Sequence, residues 1–282
     1  MQTRAFGRTG VRVPAIGQGT WDIPEHGARM NEAIRALKRG IDLGMTHIDT
    51  AEMYGNGRAE EIVARAIAGH DRGSLFLTSK VLPSNATGKG TKAACERSLK
   101  RLGTPYLDLY LLHWPSSVPI EETIGALEEL VADGKTRFIG VSNFEVDELQ
   151  AAQAAATREP IACNQVLYHL KERGIESRLV PYCKHEQIAV VAYTPFGRGK
   201  FAADMAEGGV LRQIAQRIGK TPRAVALRFL TRDENLFTIP KAATVAHVEE
   251  NAAAADFTLC PDDIAAIDSA FPARTHGSLA TL

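Results

Sequence analysis

Four side chains in this sequence could move a proton to or from an oxygen if brought together: Asp49, Tyr54, Lys80 and His113. A free phenol has a pKa of about 10 and is a poor acid at neutral pH. A neighbouring ammonium favours the phenolate and lowers that value, and a carboxylate beside the lysine holds its charge in place. A histidine can donate a hydrogen bond to a carbonyl oxygen. Such a set supplies a proton, or stabilises negative charge, at one oxygen. That suits reduction of a carbonyl and leaves the electron source open. Singly, each residue has a plainer explanation: a turn cap for Asp49, a core or interface aromatic for Tyr54, a solvated rim charge for Lys80, a satisfied histidine for His113. Those explanations must hold four times at once.

The elements that would gather these groups are legible as a rhythm. Eight strand candidates occupy residues 15–21, 45–50, 75–81, 107–113, 137–142, 161–167, 189–195 and 236–240. Several are near-continuous apolar runs, such as Leu107-Asp108-Leu109-Tyr110-Leu111-Leu112, the pattern of a strand covered on both faces in a parallel sheet. Helical periodicity fills the gaps at 28–43, 58–68, 92–102, 120–132, 146–156, 175–185, 210–218, 221–231 and 245–254. A last helix is expected at 262–270. Thr221 reads as an N-cap with Pro222 in the first helical position. Residues 3–6 and 11–13 read as a hairpin around Gly7-Arg8-Thr9-Gly10. Strand then helix, eight times, predicts an α/β (β/α)₈ barrel in one domain over residues 1–282. An open doubly wound sheet is disfavoured, because Gly17-Gln18-Gly19-Thr20-Trp21 carries no Gly-x-Gly-x-x-Gly and no helix follows it directly. In a barrel, Asp49, Lys80 and His113 close the second, third and fourth strands, on the rim where barrel enzymes place their chemistry.

Composition narrows the classes. The 282 residues are 45% apolar and 23% charged, with zero formal net charge. This is an ordinary globular balance that gives no bulk support for nucleic-acid or anionic-membrane binding. Cys95, Cys163, Cys183 and Cys260 form no Cys-x-x-Cys pair and read as free thiols. The eight histidines lack metal-binding spacings, so no metal is expected. The first residues lack an apolar signal core and no run approaches a membrane span, so a cytoplasmic monomer is expected.

The motifs carry a resemblance. Asp49-Thr50-Ala51-x-x-Tyr54-Gly55, Ser79-Lys80, His113-Trp114, Gly140-Val141-Ser142-Asn143-Phe144 and Ile239-Pro240-Lys241-Ala242 occur in order along the chain. Together they resemble the aldo-keto reductase superfamily, most closely its bacterial 2,5-diketo-D-gluconate reductase type. The resemblance implies a nicotinamide cofactor bound across the barrel mouth without a Rossmann fold. It makes Tyr54 the general acid, tuned by Lys80 and Asp49, with His113 orienting the carbonyl. Ser142, Asn143 and Gln165 would bond the carboxamide, Tyr193 would stack on the ring, and Thr194, Pro195, Phe196, Gly197 and Arg198 would follow the pyrophosphate. Gly19, Thr20, Trp21 and Asp49 join the cofactor set. Lys241, Ala242, His247, Glu250 and Asn251 would hold the adenosine end, where a lysine before a helix N-terminus is a sound phosphate site.

Two departures bear on the cofactor. Relatives that prefer NADPH usually carry Arg where this chain has His247, and often Ser where it has Ala242. Arg grips a phosphate bidentately and is always charged, whereas histidine is mostly neutral at pH 7. NADP(H) is expected, with NAD(H) use raised by His247. Trp21, Met53, Tyr54, His113 and Trp114 are expected to line the substrate pocket. The short loop after His113 and a twelve-residue tail after Ala270 imply an open site for small aldehydes, ketones or keto-sugars. The loop 196–209, with Gly197, Gly199, Gly208 and Gly209, is read as a lid over the cofactor. Two alternatives differ in class: a cofactor-binding regulatory subunit, and a barrel aldolase with Lys80 as Schiff-base nucleophile.

Overall fold

The structure is a computed structural model that describes residues 1–198, 201–273 and 278–281. The chain opens with a hairpin. Strand β1 (Thr3–Ala5) pairs antiparallel with β2 (Arg12–Pro14), joined by a 3-10 turn over Gly7–Thr9. Phe6, at the tip of β1, is fully buried and packs its ring 4.9 Å from that of Phe76 and 5.0 Å from that of Phe237. Burying one such ring contributes about 1.5–3 kcal/mol. The hairpin thus plugs the bottom of the barrel.

The barrel follows as eight parallel strands. They are β3 (Gln18–Gly19), β4 (His47–Asp49), β5 (Phe76–Val81), β6 (Leu107–Leu112), β7 (Thr136–Ser142), β8 (Ile161–Leu167), β9 (Ala189–Tyr193) and β10 (Leu236–Thr238). Sequential strands are neighbours throughout. The ring closes between β10 and the segment around β3: Thr238 N–H donates to Ala15 O at 2.9 Å, Gly17 N–H to Thr238 O at 2.8 Å and Gly19 N–H to Pro240 O at 3.2 Å. The predicted first strand, 15–21, shrinks to two residues because this segment alternates between β4 and β10 rather than laddering with one of them. A Cβ on Gly19 would lie 2.5 Å from Ile239 O, so only glycine permits the closure.

Helices wrap the outside: α1 (Gly27–Asp42), α2 (Arg58–Ile67), α3 (Gly88–Leu102), α4 (Ile120–Ala132), α5 (Val146–Ala155), α6 (Leu179–His185), α7 (Gly209–Ile218), α8 (Pro222–Leu230), α9 (Val245–Ala252) and α10 (Pro261–Ala270). Their apolar faces meet the outward side chains of the strands, as Ile34, Ile62 and Leu127 meet Leu77, Tyr110 and Leu112 in one cluster. The Thr221 cap stands as expected, its hydroxyl accepting from Ala224 N–H at 3.1 Å. Two expectations are corrected. Helix α3 starts four residues earlier than the periodicity predicts, because Thr87 caps it by accepting from Gly90 N–H at 3.1 Å. The single helix expected at 175–185 is a 3-10 turn, Gly174–Glu176, followed by α6. Pro181 near the start of α6 has no N–H for a preceding turn, and its ring opposes one. Arg173 and Arg232 both donate to the Glu176 carboxylate of that 3-10 turn. No helix among the described residues is long and apolar enough to cross a membrane.

Candidate active site

The sheet register brings the proposed groups together. Asp49 ends β4 opposite Thr78 of β5, and Lys80, two residues further along β5, points to the same interior face. Lys80 is fully buried, and its ammonium has three hydrogen-bond acceptors. It donates to Asp49 Oδ1 at 2.5 Å, to the Thr50 carbonyl at 2.9 Å and to Tyr54 Oη at 3.0 Å. Three donors meet three acceptors, so the amine is fixed in position as an ammonium. Because Tyr54 Oη accepts from Lys80, its own proton points elsewhere. Tyr54 lines the cavity and is 9% exposed to it, so the phenol can present that proton there. Gln165 Nε2, from β8, donates to the other Asp49 oxygen at 2.8 Å.

His113 follows the last residue of β6 and donates its backbone N–H to Val81 O at 3.0 Å. Its ring lies edge-on to Tyr54, centroids 5.7 Å apart, and 4.3 Å from the Trp114 ring. Asn143 ties the neighbouring loops to it: Asn143 Nδ2 donates to the His113 carbonyl at 3.0 Å, and Asn143 Oδ1 accepts from the Tyr193 hydroxyl at 2.8 Å. Asn143 and Thr194, just past the ends of β7 and β9, both hold left-handed backbone (φ 62° and 53°). For a β-branched threonine this costs about 1–3 kcal/mol, strain of a kind found at functional rims.

The electrostatics correct one expectation. Burial raises the Tyr54 pKa; Lys80 pulls it down, Asp49 adds to the rise, and the net is above the ordinary tyrosine value. The ammonium therefore tempers the cost of a phenolate rather than making the resting phenol acidic, and Tyr54 stays protonated at neutral pH. Burial also opposes the charge on Lys80, but Asp49 and the Tyr54 oxygen outweigh it and its pKa is raised. Burial raises Asp49 too, with Lys80 and Gln165 only partly offsetting it. His113 is driven down to about 2, first by burial and then by Lys80, so its imidazole is neutral.

A second buried histidine gives a stability prediction. His47, on β4 beneath Asp49, is lowered to about 3 by burial and by Lys80. Neither of its ring nitrogens, nor Nδ1 of His113, meets a hydrogen-bond partner among the described residues. In the folded chain both rings stay neutral, while the unfolded chain takes up protons below the ordinary value of 6.5. Each is expected to remove roughly 1.4 kcal/mol of stability per unit as the pH falls from about 6 toward about 3. Urea melts at pH 7 and pH 5 should show His47→Leu losing about 2 kcal/mol less than wild type over that interval. Identical losses would contradict it.

A cavity of about 610 Å³ opens above these groups. Of the expected cofactor set, it is walled by Gly19, Thr20, Trp21, Asp49, Ser142, Asn143, Gln165, Tyr193, Thr194, Pro195, Phe196, Gly197, Arg198 and Lys241. Of the expected substrate set it takes Met53, Tyr54, His113 and Trp114, with Trp21 shared. Ala242, His247, Glu250 and Asn251 are not in its wall. They lie before and along α9, where Ala242 and Asn251 are buried, His247 is exposed and Glu250 is half-buried. The Thr244 side chain caps α9 by accepting from His247 N–H.

Asp22, Pro115, Ile239 and Thr281 also face the cavity and were missed from the sequence. Thr281 brings the end of the tail to the cavity wall. Short as the tail is, it returns to the rim, where Leu279 N–H donates to the Glu145 carboxylate. Of the lid glycines, Gly199 lies outside the described residues and Gly209 begins α7. Gly208 is packed so closely that a Cβ would lie 2.1 Å from Ala202 O, which is not the setting of a free hinge.

The aldo/keto reductase family model matches residues 15–271. Methylglyoxal reductase YeaE of Escherichia coli (strain K12) is 44% identical over 264 residues, covering 93% of each chain. Glyoxal reductase of Bacillus subtilis (strain 168) is 39% identical over 262 residues, covering 92% of this chain and 90% of its own. A crystal structure of an aldo-keto reductase from Klebsiella pneumoniae in complex with NADPH superposes over 100% of both chains, with a TM-score of 0.93 and 41% identity.

Proposed function

Since the chain belongs to the aldo/keto reductase family, we propose that it reduces small 2-oxoaldehydes to hydroxycarbonyl products with NADPH, Tyr54 giving the proton. The observation that carries this reading is the Lys80 ammonium bonded to Tyr54 Oη at 3.0 Å on the floor of the cavity. The substrate class follows the relatives named for methylglyoxal and glyoxal, and the cofactor follows the Klebsiella protein bound to NADPH.

The residues present fit a nicotinamide. Ser142, Asn143 and Gln165 bring amide and hydroxyl groups to one wall, Tyr193 offers a ring face beside them, and Lys241 offers a cation further along. When bound, the reduced nicotinamide supplies hydride to the carbonyl carbon. Tyr54 donates its proton to the carbonyl oxygen, so the double bond becomes a C–H and an O–H. Lys80 stabilises the phenolate left behind, and Asp49 keeps Lys80 charged and aimed. Neutral His113 has only its second ring nitrogen free to face the cavity, since Nδ1 is enclosed. From there it can donate to the same oxygen and orient it. The hydrogen-bonding that serves this role leaves Lys80 ill suited to Schiff-base chemistry, which needs a free amine.

The test is oxidation of NADPH and NADH across a panel of methylglyoxal, glyoxal, α-keto esters and keto-acids. Turnover with the 2-oxoaldehydes is expected; cofactor binding without turnover on any carbonyl would favour a regulatory role. His247 is exposed where an arginine would grip a 2′-phosphate, so discrimination between the two cofactors is expected to be modest. A kcat/KM ratio above about a thousandfold for NADPH, some 4 kcal/mol, would contradict this. His247→Arg is expected to raise that ratio about tenfold or more.

A further inference from the structure

The turn that carries Tyr54 is unusual. Gly55, Asn56 and Gly57, which follow it directly, all hold positive φ (55°, 51° and 91°). Backbone bonds within the 3-10 turn Tyr54–Gly57, such as Asn56 N–H to Met53 O at 3.2 Å, hold it locally but do not tie it to the strand that carries Lys80. Yet this turn must present Tyr54 Oη at 3.0 Å from Lys80 on a different element. Before the turn, Glu52 is tied to the end of β5, its carboxylate accepting from Leu82 N–H at 2.9 Å; after the turn, a second tie lies outside the cavity.

We infer that Glu60 is a positioning residue for Tyr54. Glu60 sits in the first turn of α2, immediately after the Tyr54 turn, and is fully buried. One carboxylate oxygen accepts from the Ser79 hydroxyl at 2.6 Å, and the other from Arg101 Nε at 2.5 Å. Ser79 adjoins Lys80 and points to the opposite face of β5. Arg101, from α3, lies against Gly57: a Cβ there would be 2.5 Å from Arg101 Cδ and Nε. One carboxylate thus grips β5 beside Lys80 and, through Arg101, the far end of the Tyr54 turn. The link runs outside the barrel wall, parallel to the Tyr54–Lys80 contact inside it. An apolar side chain of similar volume would fill the space and often matches a buried ion pair in stability. It would not hold two elements in register by directed bonds. A displacement of about 1 Å at a reacting group costs on the order of a hundredfold.

This inference rests on the reading of Tyr54 as proton donor. The experiment compares Glu60→Gln, Ser79→Ala, Arg101→Lys and Arg101→Met in the full chain. In Glu60→Gln the amide oxygen can keep Arg101 while its NH2 donates to the Ser79 hydroxyl, but the charge-assisted bond to Arg101 and the Ser79 donor geometry are both lost, so the grip is weakened. The expected result is a fall in kcat of about tenfold to a hundredfold with NADPH Kd within about twofold. The pH profile of kcat should shift in its alkaline limb, where Tyr54 titrates. Ser79→Ala should show a smaller fall, and Arg101→Lys should retain more kcat than Arg101→Met at equal NADPH Kd. Should Glu60→Gln fail to fold, the Ser79 and Arg101 variants carry the test. Folded variants with wild-type kcat and pH profile would overturn the role, as would kcat, NADPH Kd and melting temperature deteriorating together. The two readings separate cleanly. Wild-type turnover in Glu60→Gln beside a dead Tyr54→Phe defeats this inference alone; an active Tyr54→Phe defeats the reading beneath it.

Discussion

Turnover by the Tyr54→Phe protein is expected to fall by at least about a hundredfold, the lower end of what a positioned general acid contributes. The substitution removes one oxygen and leaves the ring in its place beside His113. Lys80 then keeps two acceptors of three, Asp49 and the Thr50 carbonyl. The price in stability is one unmet buried donor, about 1–3 kcal/mol. NADPH affinity should hold, because the residues proposed to bind the cofactor are Ser142, Asn143, Gln165 and Tyr193 rather than the phenol. The checks are steady-state kcat on methylglyoxal and a fluorescence titration with NADPH through Trp21 and Trp114, which both face the cavity. A variant retaining more than about a tenth of wild-type kcat would reject the assignment.

Lys80→Met is expected to damage both activity and folding. Breaking a buried pair by removing one partner costs about 3–5 kcal/mol, because the remaining charge has no compensation. Asp49 would keep Gln165 as its side-chain donor. Its pKa, already raised by burial, would rise further without Lys80. The sign of the pH dependence follows. A carboxyl whose folded pKa exceeds its unfolded value binds the proton more tightly when folded, so the folded state gains as pH falls through the folded pKa. The deficit of Lys80→Met relative to wild type, taken at each pH, should therefore shrink from pH 8 toward pH 5. Adding Asp49→Asn should recover part of it at pH 8. Urea denaturation of the three proteins measures this, and a deficit that grows in acid would contradict it.

The barrel was legible because its strands are covered on both faces. Runs such as Leu107–Leu112 and Ile161–Leu167 have few other stable settings. The floor of the site was legible because Asp49 and His113 each stand where an apolar run stops and Lys80 is a charge near the end of a buried strand. What spacing does not encode is depth. The direction of the Tyr54 shift depends on how far burial outweighs Lys80, and that is a property of packing. Partners distant in sequence were also hidden. Arg101 meets Glu60 across forty-one residues, and Thr281 reaches the rim from the far end of the chain. Local chemistry that competes with periodicity accounts for the remaining misses. Thr87 caps α3 ahead of its apolar pattern, and Pro181 limits α6 to a helix its neighbours would otherwise extend.

Transfer of label from NADPH carrying deuterium at both C4 positions of the nicotinamide to methylglyoxal tests the central claim most directly. The account predicts one deuterium on the former carbonyl carbon per cofactor oxidised in the wild-type protein, with the rate of that transfer falling at least about a hundredfold in Tyr54→Phe. Deuterium absent from the product carbon, or delivered at an undiminished rate by Tyr54→Phe, would contradict it.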